Sequence, residues 1–176
     1  MSKAMEIVDN TPELLETVLL TFNTDSEKEL ARKIVRLFLD NGFPVKVKQY
    51  YQACMQGTYR ILCLIKKGTE AVIINNKGMG RDGVSFQVRF DDRSIFEKLD
   101  SLSENVRNQI INAANCGYCS TKCDNKKYIF TYQGQKYVKC RFLCNNFTFQ
   151  NLNTEENNDL LDIVNNEIKF AINPAK

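Results

Sequence analysis

Val84-Ser85-Phe86-Gln87-Val88-Arg89-Phe90 alternates apolar and polar side chains without a break. Successive side chains of a strand point to opposite faces, so this stretch predicts a half-buried strand with Val84, Phe86, Val88 and Phe90 on the core side. Phe43, Val45 and Val47 alternate in the same way with Pro44, Lys46 and Lys48. The runs Ile61 to Ile65 and Ala71 to Ile74 are continuous and apolar, as in strands covered on both faces. Residues 43–92 therefore predict a four-stranded, mainly antiparallel meander, with Cys63 in its core.

On either side of the meander the period becomes helical. In residues 1–42, Thr11-Pro12-Glu13 opens a helix bearing Leu14, Leu15, Val18 and Leu19. Thr24-Asp25-Ser26-Glu27 has the spacing of a capping box and precedes Leu30, Ile34, Leu37 and Phe38; Asn41-Gly42 supplies the stop. In residues 93–176, helical spacing returns at Ile95 to Leu99. Ser101-Leu102-Ser103-Glu104 reads as a second capping box before Val106, Ile110 and Ile111. A cysteine-rich loop follows, then strands Tyr128 to Tyr132 and Lys136 to Phe142 joined at Gln133-Gly134-Gln135. Thr154 is the expected cap of a last helix carrying Leu160, Leu161, Val164 and Ile168. The fold class is α+β. A chain of 176 residues with no long linker is read as one domain over 1–176.

Composition excludes several chemistries. The chain has no histidine, so Ser-His-Asp and Cys-His catalysis and every histidine-built zinc site are ruled out within it. No pair of carboxylates stands out for acid–base work; Asp91-Asp92 and Glu155-Glu156 sit at helix starts, where negative charge suits the dipole. The net charge of +3 is a weak bias, and nucleic acid is not expected as a partner. The first ten residues lack a signal-peptide pattern, and Leu14 to Phe22 is too short and too interrupted to span a bilayer. A cytoplasmic protein with reduced thiols and no membrane partner is the expectation.

The chemically distinctive segment is Cys116-x2-Cys119-x3-Cys123, followed sixteen residues later by Cys140-x3-Cys144. Tetrahedral zinc takes four thiolates, and without imidazole the site must be all sulfur. Cys140 and Cys144 would lie about 13 Å apart on a continuous strand, at ~3.3 Å per residue. One ion cannot hold both, so the preferred ligands are Cys116, Cys119, Cys123 and Cys140, with Cys144 in reserve. An iron–sulfur cluster uses the same ligand type, but this spacing departs from the common ferredoxin pattern. Reduced cysteines packed as small apolar residues are the plain alternative. Cys116-Gly117-Tyr118-Cys119 also looks like the Cys-x-x-Cys of thioredoxin-like enzymes, which opens a thiol redox enzyme or sensor as the alternative function. That motif, however, follows an early strand and opens a helix, whereas here it follows a helix late in the chain.

Gly78-Met79-Gly80-Arg81-Asp82-Gly83 matches Gly-x-Gly-x-x-Gly, yet it leads into the strand at Val84 rather than into a helix. It is read as a hairpin loop in which Arg81 could touch an anion. Lys46, Lys48, Lys66 and Lys67 suggest a basic face of the meander, as solvated strand edges often carry. Tyr50, Tyr51 and Tyr59 lie near them and could stack on a flat ligand, or could be half-buried strand residues.

Residues 103–167 resemble the C-terminal half of a group of small uncharacterised bacterial α+β proteins of the domain-of-unknown-function type. The shared pattern is a helix, a Cys-x-x-Cys loop with a further cysteine, a hairpin, one more cysteine, an aromatic strand and a closing helix. Here it falls on Cys116, Cys119, Cys123, Tyr128, Phe130, Cys140, Phe147 and Phe149. Cys144 is a local departure. The resemblance implies a metal cluster and no particular activity. The function expected from the sequence is a non-enzymatic module that binds a small molecule or a protein partner and is braced by structural zinc.

Overall fold

A computed structural model of the chain describes residues 6–8, 12–50, 58–65, 68–77, 83–115, 127–140 and 147–174. Strands β1 (Glu6–Val8), β2 (Val45–Tyr50), β3 (Thr58–Ile65), β4 (Thr69–Asn75), β5 (Ser85–Val88) and β8 (Phe147–Phe149) form one antiparallel sheet in the order β1-β2-β3-β4-β5-β8. Strands β6 (Lys127–Tyr132) and β7 (Gln135–Cys140) form a separate two-stranded ribbon. The helices are α1 (Pro12–Leu19), α2 (Asp25–Asp40), α3 (Glu104–Ile111) and α4 (Thr154–Ile172). The fold is α+β, with the predicted meander at its centre.

The core is built where the sequence period demands it. Val45, Val47, Ile61, Cys63, Val72, Ile74, Phe86 and Val88 join Ile34 and Phe38 of α2 and Leu160, Val164 and Ile168 of α4 in one buried cluster. Strand β3 is buried on both faces, as its unbroken apolar run predicts: Leu62 and Leu64 form a second cluster with Ile73. Cys63 is completely buried, and burial pushes its thiol far above the ordinary thiol range, which makes it inert.

Helix boundaries follow local chemistry. Thr24 and Glu27 form the reciprocal capping box at the start of α2. At its end Gly42, at φ 74°, donates to Leu39 O, and Phe43 N–H donates to Phe38 O; the two phenylalanine rings meet edge to face at 6.2 Å. Thr11, the expected cap of α1, lies outside the described residues, and the starts of α3 and α4 differ from expectation. Ser101 lies in a 3-10 helix (Leu99–Ser101), and its hydroxyl donates to Lys98 O instead of capping. Helix α3 begins two residues later, behind Ser103, whose side chain makes no cap bond. Asn153, not Thr154, caps α4, in a capping box with Glu156. The stretch Ile95 to Leu99 is 3-10 rather than α-helical. Among the described residues, no helix is long and apolar enough to cross a membrane.

Candidate metal centre at the end of the ribbon

Ribbon β6–β7 closes through Gln133 (φ 48°) and Gly134 (φ 76°), with Tyr132 paired to Gln135. Two successive positive φ values define the type I′ turn that matches strand twist. The ribbon lays Tyr128 and Phe130 inward: Phe130 stacks on Phe96 at 4.3 Å and on Tyr137 at 5.2 Å. Tyr132 Oη donates to Asp100 Oδ1 at 2.8 Å, which holds the ribbon tip against the 3-10 segment. The opposite face carries Ile129, 54% exposed.

The far end of the ribbon frames the cysteine-rich segment. Lys127, the first residue of β6, pairs with Cys140, the last of β7. Asn115, the residue before Cys116, forms an isolated antiparallel bridge with Lys139. Both flanks of residues 116–126 are thus fastened to neighbouring positions at the same end of β7. Two strand spacings separate those flanks, roughly 10 Å.

Lys139 strengthens this junction. Its side chain is buried, and its ammonium donates to Ala113 O at 2.7 Å and to Asn115 Oδ1 at 2.9 Å. The same ammonium lies 5.4 Å from the centre of the Tyr137 ring. Burial lowers the lysine's pKa from its ordinary 10.5. The chain between α3 and the cysteine segment is therefore tied to β7 by a backbone bridge and by two charge-assisted bonds.

Cys116, Cys119, Cys123 and Cys144 lie outside the described residues, and of Cys140 only the backbone position is described. Among the described residues, no group of three Cys, Asp or Glu side chains could hold a metal ion. Of the proposed ligand-binding residues, Tyr51 and Arg81 also lie outside the description. Tyr50 ends β2, opposite Thr58, and Tyr59 sits half-buried in β3, accepting from Gln49 Nε2 at 3.0 Å. Gly83, the last glycine of the Gly-x-Gly-x-x-Gly match, stands just before β5, so the match leads into a strand as expected. Lys48 lies 3.9 Å from Glu70, which reduces the basic character of that face; Lys66 and Lys67 are not described.

Sequence reasoning missed Lys139 as a junction residue. A signal existed. It shares a strand face with Tyr137, and the aromatic face of the ribbon is the one that turns inward.

Fold and framework together define an α+β domain with a separate ribbon whose open end receives both flanks of a cysteine-rich segment. No protein-family model, curated protein or solved structure matches the chain.

Proposed function

We propose that this chain is a non-enzymatic module that binds a small molecule or a protein partner, with zinc held by Cys116, Cys119, Cys123 and Cys140 as a structural brace. The pairing of Asn115 with Lys139 and of Lys127 with Cys140 carries this reading. A segment whose two ends are fastened on either side of one strand end, roughly 10 Å apart, can offer three thiolates to a point that the strand supplies with a fourth. Four thiolates around Zn²⁺ leave a net double negative charge. The absence of histidine from the chain makes sulfur the only soft ligand. Tyr50, Tyr51, Tyr59 and Arg81 remain the residues proposed for the bound partner. The cytoplasm, where thiols stay reduced, is the proposed compartment.

Metal analysis of the purified chain tests the brace. The expected result is one zinc per chain, with chelation lowering Tm by about 10 °C or more, since structural zinc contributes several kcal/mol and each shifts Tm by ~2–4 °C at this size. Cys140→Ser should lose the metal and Cys144→Ser should keep it. A metal-free protein whose Cys116 and Cys119 cycle between dithiol and disulfide would overturn the brace in favour of a thiol redox enzyme or sensor.

A further inference from the structure

Ribbon β6–β7 has an open edge. Tyr132 and Gln135 flank its two-residue turn as a hydrogen-bonded pair, and the register runs on without a bulge. Bonded and non-bonded pairs alternate along an antiparallel ladder, so Phe130–Tyr137 and Tyr128–Lys139 are the next bonded pairs. The backbone N–H and C=O of Lys127, Ile129 and Thr131 therefore point away from β7. Among the described residues, none of these three makes a backbone hydrogen bond outside the ribbon. The opposite edge differs, because Asn115 bridges to Lys139 there.

The side chains beside the open edge complete a surface. Lys127, Ile129 and Thr131 share the ribbon's outer face with Val138 and Lys136, the cross-strand partners of Ile129 and Thr131. Ile129 is 54% exposed, Thr131 and Lys136 are exposed, and Val138 is half-buried. Among the described residues, neither Lys127 nor Lys136 forms an ion pair. Residues 127–140 hold three lysines and no Asp or Glu, so the ribbon carries as much net charge as the whole chain, +3. The outer face is thus an apolar pair set between two cations that lack a counter-charge.

We propose that the open edge of β6 receives an extended, acidic segment of a partner protein, laid antiparallel as an added strand. Each of Lys127, Ile129 and Thr131 supplies that strand with one backbone donor and one acceptor. The side chain opposite Ile129 extends the apolar pair, and the side chain opposite Lys127, two residues further on, is a carboxylate. Charge selects this occupant over a second copy of the chain. Two such ribbons would meet with lysines and no carboxylates, and lysine at an edge is a device that keeps like edges apart. A nucleic acid would match the lysines but neither the alternating backbone groups nor Ile129. Tyr50 and Tyr59 belong to the other sheet, so this surface goes beyond the site proposed above and does not depend on it.

The probe is a fluorescein-labelled peptide, Glu-Thr-Val-Thr-Glu, titrated with the full-length chain and followed by fluorescence anisotropy. Methylating the valine N–H removes the donor that faces Ile129 O and should weaken binding about tenfold or more, as should replacing both glutamates by lysine. Ile129→Pro removes the outward N–H and leaves the ribbon's own bonds in place, so it should abolish binding. If that variant does not fold, the methylated peptide makes the same test on the wild-type chain. No binding by the wild type, or binding that survives both the methylation and Ile129→Pro, overturns the proposal. A wild-type dimer in sedimentation equilibrium that Ile129→Pro dissolves overturns it in favour of a second copy. Displacement of the peptide by an oligothymidylate overturns it in favour of nucleic acid. Zinc content read on the same samples reports the brace separately, so failure of one reading is distinguishable from failure of the other.

Discussion

Lys139 shows how one residue can invert the reading of a strand. In Lys136-Tyr137-Val138-Lys139-Cys140, simple alternation favours Val138 as the inward residue. The structure turns Tyr137 and Lys139 inward instead, because their cross-strand partners Phe130 and Tyr128 fill the core and fix the register. Ile129 is left exposed for the same reason. The lysine is tolerated inside because its ammonium has a backbone carbonyl and the Asn115 amide oxygen as acceptors. Lys139→Met keeps the apolar stem and removes both bonds. It should cost about 1–3 kcal/mol in urea unfolding. Burial lowers the lysine's pKa, so the unfolded chain holds that proton more tightly, and the linked stability rises as pH climbs through the folded-state value towards 10.5. The methionine variant should lack that alkaline rise; a rise of the same size in the variant would assign it to another group.

At the scale of the element, helix caps separate what spacing reveals from what it hides. Thr24, Ser101 and Asn153 each stand three residues before a glutamate, near the start of a helix. Thr24 and Asn153 close true capping boxes, and Ser101 does not, because the chain there is already turning as a 3-10 helix. The pattern is local and legible; whether the backbone is free to use it depends on the preceding turn. Thr24→Ala and Asn153→Ala should each cost about 1 kcal/mol. Ser103→Ala should stay within about 0.5 kcal/mol of wild type, since its Oγ is buried with no hydrogen-bond partner among the described residues and caps nothing. Urea midpoints for the three variants check this, and a Ser103→Ala cost equal to that of Thr24→Ala would show a hidden bond. The cysteine cluster that suggests a metal centre is visible in the sequence, as five cysteines in a chain with no histidine. Its frame is not, because the Asn115–Lys139 bridge joins residues 24 apart that no short-range spacing links.

For the whole molecule, the non-local joins are what the periodicity could not show. Two strands of the meander were readable from alternation and two from continuous apolar runs, yet β8 enters the same sheet beside β5, pairing Phe149 with Phe86 and Phe147 with Val88. That join brings the C-terminal aromatics under Phe90, the last residue of the stretch whose alternation defines the meander. Phe90 stacks on Phe147 at 4.5 Å and meets Phe96, Tyr128 and Phe149 at 5.9, 6.4 and 6.5 Å. Phe96 passes the contact on to Phe130, and Phe130 to Tyr137. One run of rings thus ties the main sheet to the ribbon, and the position of a ring along that run sets what its loss does. Phe90→Ala opens a cavity at the hub and should cost about 3–5 kcal/mol, weakening sheet and ribbon together. Phe130→Ala removes the ring between Phe96 and Tyr137, where the ribbon is held chiefly by side chains, and should release the ribbon alone. Amide hydrogen exchange reads the difference: in Phe130→Ala the protection of β6 and β7 should fall while that of β3 and β4 stays close to wild type. Equal loss in the ribbon and in β3 and β4 would show instead that ribbon and sheet open as one unit.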